Sequence, residues 1–204
     1  MNAAKPPWIF VHVQKTGGNS VRTALGADIF DPYKHFFARE LRDIHGEATW
    51  ESCFKFTFVR NPWDRLVSWW SMIDESRDYV DPTLPPNGFF GYVLERARSF
   101  EEFLLHCRDE IIDSDGRKYI FRNQIDYLVD DSGRIIVDFV GRYERLQESF
   151  DEISRRLGRT PVELPRTNFS RHRDYHEYYT PALAEMVAWH YARDIEAFGY
   201  RFGQ

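Results

Sequence analysis

No run of apolar residues in the chain approaches the roughly 18 that a membrane-spanning helix needs, and the opening residues, MNAAKPPW, hold no apolar signal core. Neither a membrane span nor a secretory leader is expected. Cysteine is scarce: Cys53 and Cys107 stand alone, which excludes a disulfide framework and any zinc-binding spacing. These absences lead to the expectation of a protein of the reducing cytoplasm. No internal repeat, low-complexity tract or linker-like stretch interrupts the chain, so residues 1–204 are expected to form one domain. Positive charge is in deficit, with 27 Lys and Arg against 32 Asp and Glu and a net charge of -5. That argues against nucleic acid or an anionic membrane as the main partner. An anionic ligand would need a local basic pocket set in an acidic whole.

What is abundant is apolar and aromatic. A hydrophobic share of 43% over 204 residues suits one compact α/β domain with a sizeable core. The stretch WIFVHVQKTGGNS, Trp8 to Ser20, reads as a short apolar strand, a glycine-bearing turn and the start of a helix running from about Gly18 to Gly26. Gly17 and Gly18 allow close backbone approaches. The first amides of a new helix have no internal partners and can donate to phosphate or sulfate oxygens. Lys15 adds a point charge, and Thr16 and Ser20 add hydroxyls. The same string also fits an ordinary strand–turn–helix with a solvated lysine. It is not the nucleotide-triphosphate loop G-x-x-x-x-G-K-[ST], because here the lysine precedes the glycines.

Farther along, Phe37, Leu41 and Ile44 have helical spacing, closed by Gly46 and flanked by His35 and His45. The run Phe54 to Val59, FKFTFV, reads as a second strand. It leads into RNPWDRLVSWW, where Asn61 is a good N-cap, Pro62 fits the first helical position and Asp64 the first turn. Arg60 then lies at the carboxyl end of a strand, where ligands of open parallel sheets collect, and Ser68 lies two turns into the next helix. Arg60 offers a planar fork suited to phosphate, and would equally suit an ion pair with a nearby acid.

The Pro- and Gly-rich stretch Asp81 to Gly91 is expected to be a loop, and Ser99 with Glu102 a capping box. Further helices are expected over about Arg117 to Val129, Glu148 to Leu157, and from Pro181 to about Phe198. A third strand is expected over Arg134 to Val140. The segment from Pro161 to Arg173 is irregular and basic. His172 and His176 have i,i+4 spacing, but no third ligand is spaced to match, so no metal site is expected.

Taken together, VHVQKTGGNSV and FTFVRNPWDRLVSWW resemble the sulfotransferases that use 3'-phosphoadenosine 5'-phosphosulfate (PAPS). The likeness is closest to the carbohydrate group that includes heparan sulfate 2-O-sulfotransferase and its bacterial relatives. VDFVGRYERLQESFDEI, NFSRHRDYHEYYT and DIEAFGYRF extend the likeness over most of the chain. Gln14 departs from the proline usual in the family loop, and Asn19 from a common threonine.

The resemblance implies a single-domain, P-loop-like, three-layer α/β fold with a central, mostly parallel sheet flanked by helices. It implies that Lys15, Thr16, Gly17, Gly18, Asn19 and Ser20 hold the 5'-phosphosulfate and that Arg60 and Ser68 grip the 3'-phosphate. His35, in KHFFARELRD, stands where the family has its general base and is preferred to His45. Arg171 and Arg173 match the segment that closes over the nucleotide. The expected reaction moves a sulfuryl group from PAPS to a hydroxyl, expected to be on a sugar, leaving adenosine 3',5'-bisphosphate (PAP), without a metal. Two rivals share the phosphate loop: a small-molecule kinase, which would carry a glycine ahead of the lysine and a Mg²⁺-binding acid, and a nucleotide-binding module without catalysis.

Overall fold

A computed structural model of the chain describes residues 7–79, 88–114, 116–165 and 173–203. Along the chain run β1 (Trp8–Val11), α1 (Gly18–Leu25), α2 (Ala38–His45), α3 (Glu47–Ser52), β2 (Phe54–Val59), α4 (Pro62–Glu75), α5 (Gly88–Arg96) and α6 (Phe100–His106). They are followed by β3 (Ile111–Asp113), β4 (Gly116–Lys118), β5 (Phe139–Arg142), α7 (Leu146–Arg156), α8 (Pro181–His190) and α9 (Ala192–Phe198). The chain divides into two compact units, the first from Met1–Arg60 with Gln124–Asn168, the second from Asn61–Asn123 with Phe169–Gln204.

The first unit is built on a parallel sheet in the order β1-β2-β5, the α/β architecture expected, with helices packed on it. Parallel neighbours need crossover connections, and the segment carrying α1, α2 and α3 supplies the one from β1 to β2. Phe10 pairs in register with Phe56, and Phe56 with Phe139. Side chains alternate across a strand. Phe10, Phe56 and Phe58 thus share one face, buried with Val21 and Leu25 of α1 and with Phe150, Ile153 and Leu157 on and after α7. Lys55 belongs to the alternate set. It is buried, paired with Asp138 at 3.0 Å, and its ammonium lies 5.9 Å from the Trp50 ring of α3.

The second unit is mainly helical. Asn61 caps α4 as expected, its side-chain oxygen accepting from the Trp63 and Asp64 amides at 3.0 and 3.4 Å. Trp63, Leu66, Val67, Trp69, Trp70 and Ile73 of α4 are buried. Ser99 caps α6 by accepting from the Glu102 amide, while the Glu102 carboxylate reaches back to Arg98 rather than to Ser99.

Three expected elements are corrected. The helix expected over 117–129 is absent: β4 pairs antiparallel with β3, and only the single 3₁₀ turn Gln124–Tyr127 follows. Hairpin pairing and a Lys118–Asp113 ion pair win over local propensity. The third strand lies at Phe139–Arg142, not 134–140, because its pairing with Phe56–Val59 sets the register; Ile135 instead bridges Val129. The long C-terminal helix breaks at Tyr191, whose hydroxyl accepts from Arg65 at 3.1 Å and donates to the Ile120 carbonyl. The expected loop at 81–91 falls outside the described residues up to position 87, and Gly88 opens α5.

Phe58 is fully buried in the first unit's core. Phe58→Ala is expected to destabilise the protein by about 3–5 kcal/mol, the range for emptying a buried aromatic site, as read from urea denaturation midpoints.

Candidate active site

At the carboxyl end of β1 the chain stays buried through His12, Val13 and Gln14 and then turns. The Thr16 hydroxyl donates to the Val13 carbonyl at 2.7 Å and closes the turn. That commits its proton, so Thr16 can serve an anion only through its amide. Gly17, at φ 80, caps α1. Its pro-side-chain position faces Leu146 and Tyr143, and a Cβ there would lie 2.8 Å from Leu146 Cδ2. At Gly18 a Cβ would come within 1.9 Å of His12 Nε2, so the helix can begin only with glycine. Asn19 is half-buried and Ser20 buried. No acid stands in the first turn of α1, whereas Glu40, Glu47 and Asp64 occupy that turn in α2, α3 and α4. No carboxylate of that turn offsets the positive end of the α1 dipole, which is also the case in α5 and α8.

Lys15 is the one non-glycine residue at positive φ among the described residues, at φ 67. Such a conformation costs on the order of 1–3 kcal/mol and persists only where neighbours enforce it. Arg60, at the carboxyl end of β2, is one such neighbour: its Nη1 donates to the Lys15 carbonyl at 3.2 Å. The guanidinium lies 4.0 Å from the centre of the Tyr143 ring, the same ring that faces Gly17. The Arg60 backbone is held on both sides of its Cα. Its amide donates to Gln124 Oε1 at 2.9 Å, and Gln124 Nε2 donates to its carbonyl at 2.7 Å. Lys15 and Arg60 therefore meet within the first unit.

His35 is half-buried and faces the same strand end. Its Nδ1 lies 3.2 Å from the His12 carbonyl, and the two imidazole rings are 4.7 Å apart. A carbonyl can only accept, so Nδ1 is the donor in this bond. The His35 segment is tied to α1 by Arg22, which donates to the Asp28 carbonyl at 2.7 Å and pairs with Asp31. His45 is exposed at the end of α2, away from any such arrangement.

His12 is 4% exposed, stacked on Phe10, and its Nδ1 has no hydrogen-bond partner among the described residues. Burial, reinforced by the neighbouring His35, Arg22 and Lys34, holds its pKa well below the usual 6.5, so the ring is neutral.

The remaining expected residues are placed as follows. Ser68 is buried on α4 in the second unit. Arg173 is exposed and paired with Glu177 at 3.1 Å. Arg171, Arg166 and His172 lie outside the described residues. His12, Arg22, Gln124 and Tyr143 were not among the expected site residues. The alternation Trp8, Phe10, His12 carried a signal for the first, since it places His12 on the α1 side of the sheet. Nothing local marked Gln124, which stood in an expected helix.

A family model described as the sulfotransferase family matches residues 5–201, nearly the whole chain. Comparison with curated proteins gave no match, and comparison with solved structures gave none.

A histidine whose folded-state pKa is lowered takes its proton first in the unfolded chain. The stability it supplies is complete above about pH 6.5 and is lost as the pH falls from there toward the folded-state value, at no more than about 1.4 kcal/mol per pH unit. His12→Leu should make that decline shallower, measured as urea midpoints between pH 7.5 and 5.

Proposed function

Because the chain belongs to the sulfotransferase family, we propose that it moves a sulfuryl group from PAPS to a hydroxyl on a sugar. In this reading Lys15, Gly17, Gly18, Asn19 and Ser20, with the Thr16 amide, hold the 5'-phosphosulfate at the start of α1. Arg60 binds the 3'-phosphate. Ser68 enters the reading through its motif, as do Arg171 and Arg173.

The acceptor hydroxyl gives its proton to His35 Nε2 as its oxygen attacks sulfur in line. The bond from sulfur to the 5'-phosphate oxygen breaks, and PAP leaves. Charge grows on that leaving oxygen, where the Lys15 ammonium and the first amides of α1 are suited to stabilise it.

One observation supports this most: the loop lysine and the strand-end arginine, from motifs far apart in sequence, are joined by the bond from Arg60 to the Lys15 carbonyl. The helix start also fits a doubly anionic group. It lacks a first-turn acid, and the turn packs so closely on Leu146, Tyr143 and His12 that Gly17 and Gly18 have no room for a side chain.

PAP at about 100 times its dissociation constant should stabilise the protein by roughly 2.7 kcal/mol in a thermal shift, with ATP doing much less because it lacks the 3'-phosphate. Equal shifts from the two would remove the reason for preferring PAPS as donor.

Lys15→Ala is expected to lower turnover by on the order of 10²–10³, and His35→Ala by about 10²–10⁴, in steady-state assays with labelled PAPS and a panel of sugar acceptors. Full turnover by His35→Ala would sink the assignment of the base.

A further inference from the structure

We infer that Arg60 is a positioning residue for the phosphosulfate loop as well as a ligand of the nucleotide, because it braces the left-handed backbone of Lys15. The inference rests on the PAPS-site reading and adds to it a mechanical link between the two ends of the site.

Lys15 sits in a conformation that an unbranched L-residue leaves unless something holds it. The Arg60 Nη1 bond falls on the carbonyl of that same residue. A guanidinium has five N–H donors in a rigid fork, so one can serve a carbonyl while others serve a phosphate. The brace is itself anchored at three points. Gln124, fully buried, fixes both backbone groups of Arg60. Tyr143 supports the flat face of the guanidinium. The same Tyr143 ring faces Gly17, two residues after Lys15, where a Cβ would lie 3.3 Å from Cδ2 and Cε2. The contacts form a closed circuit: Arg60 to Lys15, Lys15 along the chain to Gly17, Gly17 to Tyr143, and Tyr143 back to Arg60.

Without the brace, Lys15 relaxes toward negative φ and carries its carbonyl and the Thr16 amide with it. Only a fraction of molecules then hold the loop ready, and the apparent dissociation constant of every loop ligand rises by the inverse of that fraction. This applies equally to ligands that have no 3'-phosphate. A residue that only contacted the 3'-phosphate would leave such ligands untouched.

The test compares PAP with adenosine 5'-monophosphate, which lacks the 3'-phosphate, by calorimetry or phosphorus NMR titration. Arg60→Ala should weaken 5'-monophosphate binding about tenfold, a 1.4 kcal/mol effect, and PAP binding by considerably more. Lys15→Gly adopts positive φ without strain, so adding Arg60→Ala to it should leave 5'-monophosphate affinity unchanged, while adding it to Lys15→Ala should not. Should Arg60→Ala fail to fold by circular dichroism, Arg60→Met, which keeps the stem over Tyr143 and loses the donors, is read on the same ligands. Monophosphate affinity within twofold of wild type in the folded Arg60 variant would overturn the brace. A wild-type protein with no preference for PAP over the monophosphate would instead overturn the 3'-phosphate reading, and the brace would still be decided on the monophosphate alone.

Discussion

Parallel pairing of β1 with β2 is the constraint from which the site follows. Strands that run the same way end on the same edge, so the turn after β1 and the arginine after β2 come out side by side although 45 residues separate them. An antiparallel neighbour would have sent Arg60 to the opposite edge. The register matters as much as the direction. Val11 pairs with Thr57, and the Thr57 hydroxyl adds a bond of 2.7 Å to the Val11 carbonyl, which fixes the two strand ends against each other. The core beneath, with Phe10 stacked on Phe56 at 5.0 Å, holds that register against slippage.

The electrostatics invert the character of the whole chain. A protein of net charge -5 gathers Lys15, Arg60 and the uncompensated start of α1 at one strand end. Two buried cations elsewhere in the first unit carry acid partners, Lys55 with Asp138 and Arg22 with Asp31. The neutral His12 belongs to the same logic. A second positive charge beneath the helix start would lie in a buried site already bordered by Arg22 and Lys34, and burial keeps it discharged.

Much of this was legible in local sequence. The strand of Trp8, the glycines of the turn, the Asn61-Pro62 cap and the FKFTFV run obey short-range rules, and each formed as expected. What could not be read was set by partners distant in sequence. Gln124 opens a single 3₁₀ turn rather than sitting inside an α-helix, and its amide serves the Arg60 backbone 64 residues away. Tyr127, three residues on, places its ring edge-on to Phe37. Tyr191 ends a helix that propensity would continue, because Arg65 and Ile120 claim its hydroxyl. Within the site, the lysine and arginine were visible as motif residues. The left-handed backbone of Lys15 was not, since it arises from contacts that no spacing encodes, and for the imidazole beneath Gly18 only the strand alternation gave a sign of its side of the sheet.

The two bonds from Gln124 also define a narrow chemical alphabet for that position. The Arg60 backbone there asks for an acceptor and a donor on one flat group at the end of a three-atom reach. Glutamate has the reach but at neutral pH no donor, asparagine has the group but is one carbon short, and methionine has the length with neither function. Among the twenty side chains, glutamine alone completes both hydrogen bonds, so this position is as tightly specified by chemistry as the arginine it holds.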